Sequence, residues 1–546
     1  MATIADSEHP QAPEPTRGEM RLVISASSLG TIFEWYDFFI WGTLTTTGIL
    51  QRTFFPASNE VLATLLAWAT FAVGFGFRPL GAVLFGYLGD KLGRKYTFLV
   101  TITAMGLATA GIGLTPGYAS IGSTAPIVII ALRILQGLAL GGEYGGAAIY
   151  VAEHSPPGTA GFHTSFIQAS VAGGFILSLL VVLSFKAAVP AGAWSEWGWR
   201  LPFLFSILLL AVSLWMRLKL SESPVFRQMK AEGRTAGNPF VESFTYPGNW
   251  RRLLVALFGI AAGLTVIWYT AMFSVLSFLH QTMRVEETTA QLITGAAALC
   301  GLVFFIYFGK LSDRVGRKPP IVIGYVLTLA LLFPCFWMIG AAANPDLARA
   351  ARHAPVVVAG PDCRYDPFAK QQHDECGQIL DYFSKKGVAY RTHRAPAVAV
   401  IIGNVPVDDT SPAGLDAALQ ASGYKLGPVV PSPKRLAQIF FAVLLLMALS
   451  GATYGPVAAL LSEMFPPRIR YSSMSIPYHL GTGYFGGFLP LISQYIVART
   501  GNPYSGLWYT FAVVAVALVV TLLGLKETNP PERFAREDAQ GVPEAE

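Results

Sequence analysis

The chain has 546 residues, of which 53% are hydrophobic and only 13% are charged. Soluble domains carry about 25% charged residues, so this composition excludes an ordinary water-soluble protein and indicates a protein embedded in lipid. The net charge of +6 would suit a nucleic-acid partner, but the lysines and arginines cluster in short loops between apolar runs. That distribution is typical of membrane topology and needs no nucleic acid to explain it.

Twelve mostly apolar runs are long enough to cross the lipid bilayer as helices, which takes roughly 20 residues each. The predicted spans are 22–49, 62–87, 96–118, 125–153, 162–187, 197–220, 252–280, 289–310, 319–342, 436–463, 470–497 and 502–526. The loops after spans 2, 6, 8 and 10 are rich in Lys and Arg, whereas the loop 119–124 has none. We therefore expect a multi-pass protein of the cytoplasmic (inner) membrane, with both termini in the cytoplasm.

The predicted domain boundaries follow from these spans. Residues 1–20 are polar and rich in Pro and Glu, and we expect them to form a disordered cytoplasmic tail. The other predicted segments are an N-terminal six-helix bundle (21–220), a central cytoplasmic loop (221–250), helices 7–9 of a C-terminal bundle (251–342), an inserted domain (343–434), helices 10–12 (435–527) and a cytoplasmic tail (528–546).

An internal repeat divides the chain into two halves. The stretch GYLGDKLGRK after span 2 returns as GKLSDRVGRK after span 8, with six identities at one offset of 223 residues. Besides a shared leucine, the repeated positions are Gly86, Asp90, Gly93, Arg94 and Lys95, which return as Gly309, Asp313, Gly316, Arg317 and Lys318. A weaker repeat relates 152–166 to 462–476 at an offset of 310. The offsets differ by 87 residues, which is close to the length of the polar stretch 343–434. We therefore interpret this stretch as an insertion in the second half.

The insertion has the pattern of a small α/β domain. Its apolar runs PVVV (355–358) and AVAVIIG (397–403) alternate with helix-compatible polar stretches at 369–386 and 413–422. The expected topology places it outside the cytoplasm.

The four cysteines divide into two pairs. Cys363 and Cys376 lie in the insertion, which faces an oxidising compartment if the host has a periplasm, so we predict a disulfide; two unpaired thiols are the alternative. Cys300 and Cys335 lie within spans and are expected to be small packing residues. No spacing typical of a zinc site occurs, and we expect no metal.

Several motifs resemble those of a known superfamily. Twelve spans in two halves with the duplicated loop resemble the major facilitator superfamily, and RILQG (133–137) resembles its Arg-x-x-Gln-Gly element. FEWYDFF (33–39), FGFRPLG (75–81) and GGEYGGA (141–147) resemble the metabolite:proton symporter family, which includes α-ketoglutarate, shikimate, citrate, dicarboxylate and proline/betaine carriers. The resemblance covers nearly all of the chain except the tails and the insertion. It implies an all-α membrane protein of two pseudo-symmetric six-helix bundles that rock around a site near the bilayer midplane.

Charged residues inside the spans are candidates for function, because a charge at the bilayer centre costs at least about 2.5–3.5 kcal/mol. Glu34 and Asp37 are three residues apart and share one helix face. Burial and mutual repulsion of two carboxylates favour a bound proton near neutral pH. We predict Asp37 and, behind it, Glu34 as proton-coupling residues, together with Arg133 and Glu143.

The arginines in spans 2 and 4 are candidates for binding a substrate carboxylate as a bidentate pair, a geometry that Lys cannot supply. The predicted substrate-binding residues are Arg78, Arg133, Gln136, Tyr36, Tyr144, Tyr269 and Tyr478. The alternative is a static ion pair that locks span 1 against spans 2 and 4, with the aromatic residues packed in the core. His479 is expected to be a buried neutral histidine bonded to a neighbour.

The duplicated loop predicts a cytoplasmic gate. Its aspartates, Asp90 and Asp313, can accept hydrogen bonds from helix N-termini or pair with Arg across the cytoplasmic face. The predicted gate residues are Gly86, Asp90, Gly93, Arg94, Asp313, Gly316 and Arg317. The alternative for the neighbouring Lys and Arg residues is a purely topological role.

The expected function is secondary active transport: a monomer imports a small organic acid or zwitterionic metabolite together with a proton, by alternating access. The proton gradient supplies the energy, and we expect no cofactor. One alternative is proton-driven efflux of an apolar or cationic compound; a remote one is a sensor that uses the insertion. The chain has no P-loop, zinc pattern or nucleophile elbow, which argues against an enzyme or a nucleotide-driven transporter.

Overall fold

The computed structural model describes residues 17–56, 59–92, 94–142, 144–218, 239–466 and 469–526. Most of the predicted tail 1–20, most of the loop 221–250 and the tail 528–546 therefore lie outside the described residues. The first helix already begins at Arg17, inside the predicted tail. The boundary differs because a helix can continue beyond the apolar run that predicts it, with its polar first turns in water.

Twelve long helical segments of the described chain occupy the predicted spans, and we number them span 1 to span 12. They are Arg17–Thr45; Glu60–Gly76 with Arg78–Leu92; Arg94–Leu114; Thr124–Gly141 with Tyr144–His154; Ala160–Ala188; Leu201–Leu218; Asn249–Thr282; Glu287–Val315; Lys318–Ala343; Pro433–Tyr454 with Val457–Met464; Arg470–Leu480 with Leu489–Thr500; and Leu507–Gly524. Short helices lie at Ile49–Phe54, Tyr118–Ile121, Ala191–Glu196 and Pro239–Thr245. Among the described residues, nine helices are long and apolar enough to cross a membrane by length and composition.

Two spans of the second half contain wide, π-helical turns. Span 7 has them at Val255–Ala261, Thr270–Ser274 and Phe278–Thr282, and span 11 has one at Gly481–Gly487. Such turns are rare and occur frequently at functional sites, because they redirect side chains that a regular helix would place elsewhere.

Helix packing produces two halves with a shared interface. Span 1 packs on span 5 and span 2 on span 4 in the first half, while span 10 packs on spans 8 and 9 in the second. Spans 2 and 4 approach so closely that a Cβ atom at Gly137 would lie 1.9 Å from the carbonyl oxygen of Gly74. Span 5 contacts span 8, and span 2 contacts span 11, across the interface.

The two ends of the bundle carry different structures. We call the end that carries Asp313, Arg317 and Glu463 the motif face. The opposite end, to which span 9 returns at Ala343, is the insert face.

The insert is a small α/β domain, as the sequence predicts. Its helices are Pro345–His353, Glu375–Lys385 and Pro412–Ala421, and its strands are β1 (Val356–Gly360), β2 (Tyr390–Arg394), β3 (Ala399–Ile402) and β4 (Val405–Val407). The strand order is β2-β1-β3-β4, with β1 and β2 parallel across a helical connection and the other pairs antiparallel. Gly403, with φ of 66°, permits the tight turn between β3 and β4.

The insert has its own hydrophobic core and a disulfide. Cys363 and Cys376 are joined, with Cα atoms 5.3 Å apart, and Cys376 is buried beside Tyr365 and other core residues. Of the two thiols, Cys335 is buried, as expected for a packing residue, but Cys300 is exposed on span 8. The expectation for Cys300 is wrong because its side of span 8 faces away from the bundle.

Replacing both Cys363 and Cys376 by serine is expected to destabilise the insert by about 3 kcal/mol, because a disulfide that closes a short loop restricts the unfolded chain. The purified variant should show faster amide hydrogen exchange in β1 and Glu375–Lys385, and unchanged exchange in the spans. Cys300→Ser is the matched control. Equal exchange rates in the parent and the double variant would contradict the expectation.

Candidate functional site

Arg133 lies at the centre of the first half, completely buried. Its Nη1 donates hydrogen bonds to Oε1 of Gln136 (2.7 Å) and to the carbonyl of Phe38 (3.3 Å), and Nη2 donates to the carbonyl of Phe71 (3.4 Å). The ring of Phe38 lies 4.1 Å from its guanidinium carbon. Nε has no hydrogen-bond partner, and no carboxylate lies within 4.0 Å, among the described residues. Arg133 is thus a buried cation whose charge is not neutralised by an ion pair in the described chain.

Gln136 connects Arg133 to span 1. Its amide nitrogen donates to Oγ1 of Thr109 (2.7 Å) and to the carbonyl of Asp37 (3.3 Å), while its oxygen accepts from Arg133. The Arg-x-x-Gln spacing places both side chains on one helix face, so Gln136 holds the guanidinium in position.

The two carboxylates of span 1 are both buried: Glu34 is 7% exposed and Asp37 6%. Oδ1 of Asp37 has no hydrogen-bond partner within the described part of the chain. A buried carboxylate oxygen without a hydrogen-bond partner is costly, so the surroundings of Asp37 favour a proton donor or a cation beside it.

Arg78 reaches across the interface between the halves. It is completely buried, and its Nη1 donates to Oγ1 of Thr482 in span 11 (3.2 Å). Its guanidinium lies over the ring of Trp35, 5.0 Å from the centroid. Arg78 therefore contacts the first half through Trp35 and the second through Thr482.

Tyr269 brings an unused hydroxyl to the two arginines. It is 3% exposed, its hydroxyl has no partner among the residues described, and its ring contacts Phe71 and Phe75, over which the guanidinium groups of Arg133 and Arg78 lie. It lies between two wide turns of span 7. The structure thus combines Arg78, Arg133 and Tyr269, from spans 2, 4 and 7, at the interface of the halves.

A cluster of rings, which we call the aromatic plug, separates this centre from the insert face. It consists of Phe39, Trp68, Phe71, Trp268 and Phe273. Phe39 stacks on Trp268 (5.0 Å between centroids), and Phe71 contacts Phe273 (5.4 Å). These ring contacts join the first half to the second half.

Two predicted substrate-binding tyrosines are already hydrogen-bonded elsewhere. Tyr36 donates from its hydroxyl to the carbonyl of Pro202 in span 6 (2.6 Å), inside the first half. The hydroxyls of Tyr478 and Tyr454 are 2.6 Å apart. Tyr36 is therefore not brought to the arginines, because its side of span 1 faces span 6.

His479 differs from its expected role. It is completely buried, but neither ring nitrogen has a hydrogen-bond partner in the described ranges. It lies three residues before Thr482, the residue that accepts the hydrogen bond from Arg78, and so shares a helix face with it. His479 and Thr482 thus belong to the site on its span 11 side; only the polarity of these residues within an apolar span signals them in the sequence.

Contacts across the motif face match those that the duplicated loop predicts. Asp313 accepts hydrogen bonds from the backbone nitrogens of Gly161 and Phe162, both at 2.8 Å, in the first turn of span 5. Arg317 forms ion pairs with Asp313 (2.6 Å) and Glu463 (2.8 Å). Their function as a gate stays a prediction, but these bonds tie the second half to the first.

A second ion pair crosses the same face. Arg470 of span 11 pairs with Glu153 of span 4 at 3.3 Å. Gly316, another predicted gate residue, ends span 8 with φ of 91°, a conformation that favours glycine. Of the remaining predicted residues, Gly93 and Glu143 lie outside the described residues, as do the side chains of Asp90, Arg94 and Tyr144, and Gly86 is described only as part of the helix Arg78–Leu92.

Gly309→Ala is expected to open the motif face. A Cβ atom there would lie 2.4 Å from Cβ of Ser165 and 2.6 Å from the carbonyl oxygen of Gly161, so spans 5 and 8 must separate. Overpacking of this kind costs typically 1–3 kcal/mol, enough to shift a two-state equilibrium strongly.

Spin labels at His163 and Lys310 would report this opening as a longer label-to-label distance. Gly295→Ala in the same span is the matched control, because its Cβ would meet only the flexible end of Leu179, at 3.3 Å. An unchanged distance in Gly309→Ala would contradict the expectation.

Comparison with known proteins identifies relatives of the whole chain. The family described as "Sugar (and other) transporter" matches residues 22–240 and 424–530. A glycine betaine/proline/ectoine/pipecolic acid transporter of Dickeya dadantii is 29% identical over 538 residues, covering 97% of this chain and 88% of the relative. A citrate-proton symporter of Klebsiella pneumoniae is 26% identical over 521 residues, covering 95% of each.

A solved structure shares the fold. The major facilitator superfamily proton:xylose symporter XylE, bound to 6-bromo-6-deoxy-D-glucose, superposes with a TM-score of 0.60 at 16% identity, covering 93% of this chain and 96% of XylE. This likeness confirms the predicted architecture of two six-helix bundles.

Proposed function

Because this chain belongs to the sugar (and other) transporter family, we propose that it is a proton-coupled symporter that imports a small organic acid or zwitterionic metabolite. It works as a monomer by alternating access, with the proton gradient as its energy source and no cofactor. Its motif face and both termini lie in the cytoplasm and its insert outside the cytoplasmic membrane. The Lys and Arg residues in the loops after spans 2, 6, 8 and 10 support this orientation.

The observation that carries the proposal is Arg133. It is completely buried at mid-span, with no carboxylate within 4.0 Å among the described residues. A buried cation in a membrane bundle is costly unless it has a partner, so the site favours an anionic group between the halves. A substrate carboxylate supplies that charge, and the guanidinium can bind both of its oxygens. Arg133 and Asp37 form no ion pair with each other in the described chain, which argues against a static lock between these two residues.

The second half supplies the other contacts to the substrate. The free hydroxyl of Tyr269 and the ring nitrogens of His479 lie near the arginines, and both belong to spans that move relative to spans 2 and 4. A substrate that bonds to both halves stabilises the closed state in which they meet. Binding energy is then available to drive the rocking motion.

Asp37 carries the transported proton in this mechanism, and Glu34 has the lesser role behind it. Protonation of Asp37 neutralises a buried carboxylate in span 1. The backbone carbonyl of the same residue accepts a hydrogen bond from Gln136. Deprotonation on the cytoplasmic side places a carboxylate in the same bundle as Arg133, which competes with the substrate for that cation. Proton release and substrate release are thereby coupled.

Two sets of contacts between the halves, one at each end of the bundle, break in turn during the transport cycle. Opening toward the outside separates Phe39 from Trp268 in the aromatic plug, whereas opening toward the cytoplasm breaks the contact of Asp313 with span 5 and the pair of Arg470 with Glu153. In the described arrangement both closures are made, as in an occluded state.

The names of the two relatives support the substrate class. Glycine betaine, proline, pipecolic acid and citrate all bear a carboxylate, and all but citrate are zwitterions. The shared group is the one that Arg133 is suited to bind.

Uptake of radiolabelled L-proline, glycine betaine and citrate into proteoliposomes tests the proposal. An inward proton gradient should drive accumulation of at least one of them, and a protonophore should abolish it. If the rate and extent of uptake are the same with and without the proton gradient, symport is refuted. Loss of preloaded substrate, accelerated by an inward gradient, would instead identify proton-driven efflux.

A further inference from the structure

A cavity of about 580 Å³ lies at the insert face, between the insert and the aromatic plug. Its walls come from three parts of the chain. Gln51, Arg52 and Glu60 belong to the first half, His280 belongs to the second half, and Lys385 belongs to the insert. We call this cavity the vestibule. Its volume is in the range of small-molecule sites, roughly 300–1,000 Å³.

The insert forms a fixed roof over the second half. The backbone nitrogen of Tyr390 donates to the carbonyl of Gly501 (3.1 Å), and Nη1 of Arg499 donates to the carbonyl of Tyr365 (2.6 Å). Arg284, after span 7, donates to the carbonyl of Lys386. The insert therefore moves with span 11 and the end of span 7.

The contact of the roof with the first half is weaker. Nδ2 of Asn59, which caps span 2, donates to the carbonyl of Ala369 (3.2 Å) and reaches the hydroxyl of Tyr365 only at 3.5 Å. When the halves rock, these are the bonds that break. The vestibule therefore changes shape during the transport cycle, and a molecule bound in it contacts both moving bodies.

The polar groups of the vestibule can bind a carboxylate and a hydrogen-bond donor. Arg52 is exposed, donates only through Nε to the carbonyl of Gly48 (3.3 Å) among the bonds described, and has no described carboxylate within 4.0 Å. Lys385 is already neutralised by Asp381 (2.6 Å), so Arg52 is the cation available to an anion.

The wall of the vestibule also carries hydrogen-bond acceptors. Gln51 is 5% exposed, and its Oε1, a hydrogen-bond acceptor, has no partner in the part of the chain that the structure describes. Glu60 adds a carboxylate on the same half; its charge opposes the lowering of the pKa of Arg284 by burial. Small molecules with a carboxylate and an N–H or O–H group, such as L-proline or citrate, match this set of donors and acceptors.

We propose that the vestibule is a second substrate site, which holds a small carboxylate-bearing metabolite under the insert before the aromatic plug opens. Arg52 binds the carboxylate, and the insert provides the roof that retains the molecule. The identity of the ligand rests on the proposed function, since the same metabolite then passes to Arg133. The insert thus delivers substrate to the transport path.

Transport kinetics give the first test. Arg52→Gln is expected to raise KM for L-proline or citrate about tenfold, the loss of one charge-assisted hydrogen bond, with kcat unchanged. Arg52→Lys should restore part of the affinity. Arg391→Gln, which removes an exposed charge from strand β2 outside the vestibule, is the matched control. If Arg52→Gln and the control have the same KM, the proposal is wrong.

Thiol protection gives a test that does not depend on transport. In a background with Cys300→Ser and Cys335→Ser, Ala389→Cys places one thiol on the vestibule wall. L-proline or citrate should slow its modification by a maleimide, the slowing should persist with Arg133→Ala, and Arg52→Gln should abolish it. Lack of protection, or protection that requires Arg133, would overturn the proposal.

Failure of the proposed function and failure of the vestibule proposal give different results. If the parent protein accumulates neither compound but both protect Ala389→Cys, the proposed function fails and the vestibule site stands. If the parent accumulates a compound that does not protect the thiol, the vestibule proposal alone fails.

Discussion

Replacing Arg133 by alanine is expected to reduce kcat/KM for a carboxylate substrate about a hundredfold or more. Removing one partner of a buried, hydrogen-bonded charge pair costs 2–5 kcal/mol, and the substrate carboxylate would lose its main partner. Arg133→Lys keeps the charge but loses the fork of donors, so it should recover only a minor part of the activity. Initial uptake rates in proteoliposomes at several substrate concentrations measure both effects.

A folding defect must be separated from this loss. Arg133→Ala also removes the hydrogen bonds to Gln136, Phe38 and Phe71 and leaves a cavity, so thermal unfolding of the purified variant should be measured beside uptake. Gln136→Leu is the informative companion, because it removes the hydrogen bond that orients the guanidinium but leaves the cation. It should weaken transport less than Arg133→Ala. Wild-type kinetics in Arg133→Ala would contradict the assignment of Arg133 as the carboxylate partner.

Replacing Asp37 by asparagine is expected to abolish accumulation driven by the proton gradient. Asparagine preserves the size of the side chain but cannot bind or release a proton. Exchange of substrate between the two sides needs no net proton movement, so counterflow should continue. The parent should accumulate substrate faster as the outer pH falls, and Asp37→Asn should lose this dependence.

Glu34→Gln is the control for Asp37, since Glu34 is buried on the same helix face one turn earlier. We expect a smaller effect from it, with coupling retained. If Asp37→Asn retains accumulation and its pH dependence while Glu34→Gln loses them, the two roles are exchanged. If neither variant affects coupling, the proton carrier lies elsewhere, and His479 is the next candidate because its ring nitrogens are buried and unbonded within the described residues.

Much of the site could be found in the sequence because charge is rare in the spans. Asp37, Arg78 and Arg133 stand out against apolar neighbours, and the structure places each of them in the bundle interior. The sequence alone does not show which aromatic residues accompany them. Tyr36 and Tyr269 are both tyrosines within apolar spans, and the sequence does not distinguish them. The hydroxyl of Tyr36 is hydrogen-bonded to Pro202, whereas that of Tyr269 has no hydrogen-bond partner in the described chain and lies near the arginines.

The sequence by itself determined the spans, the two halves and the α/β insert. Lipid offers no hydrogen bonds to the backbone, so a long apolar run forms a helix, in which the backbone groups bond to one another. The sequence repeat at one offset identifies the two halves. Only the tertiary structure decided the rotation of each helix, the partners of each buried polar atom and the existence of the vestibule. These depend on contacts between residues far apart in the chain, such as Asp313 with Gly161 or Tyr390 with Gly501, which local periodicity does not encode.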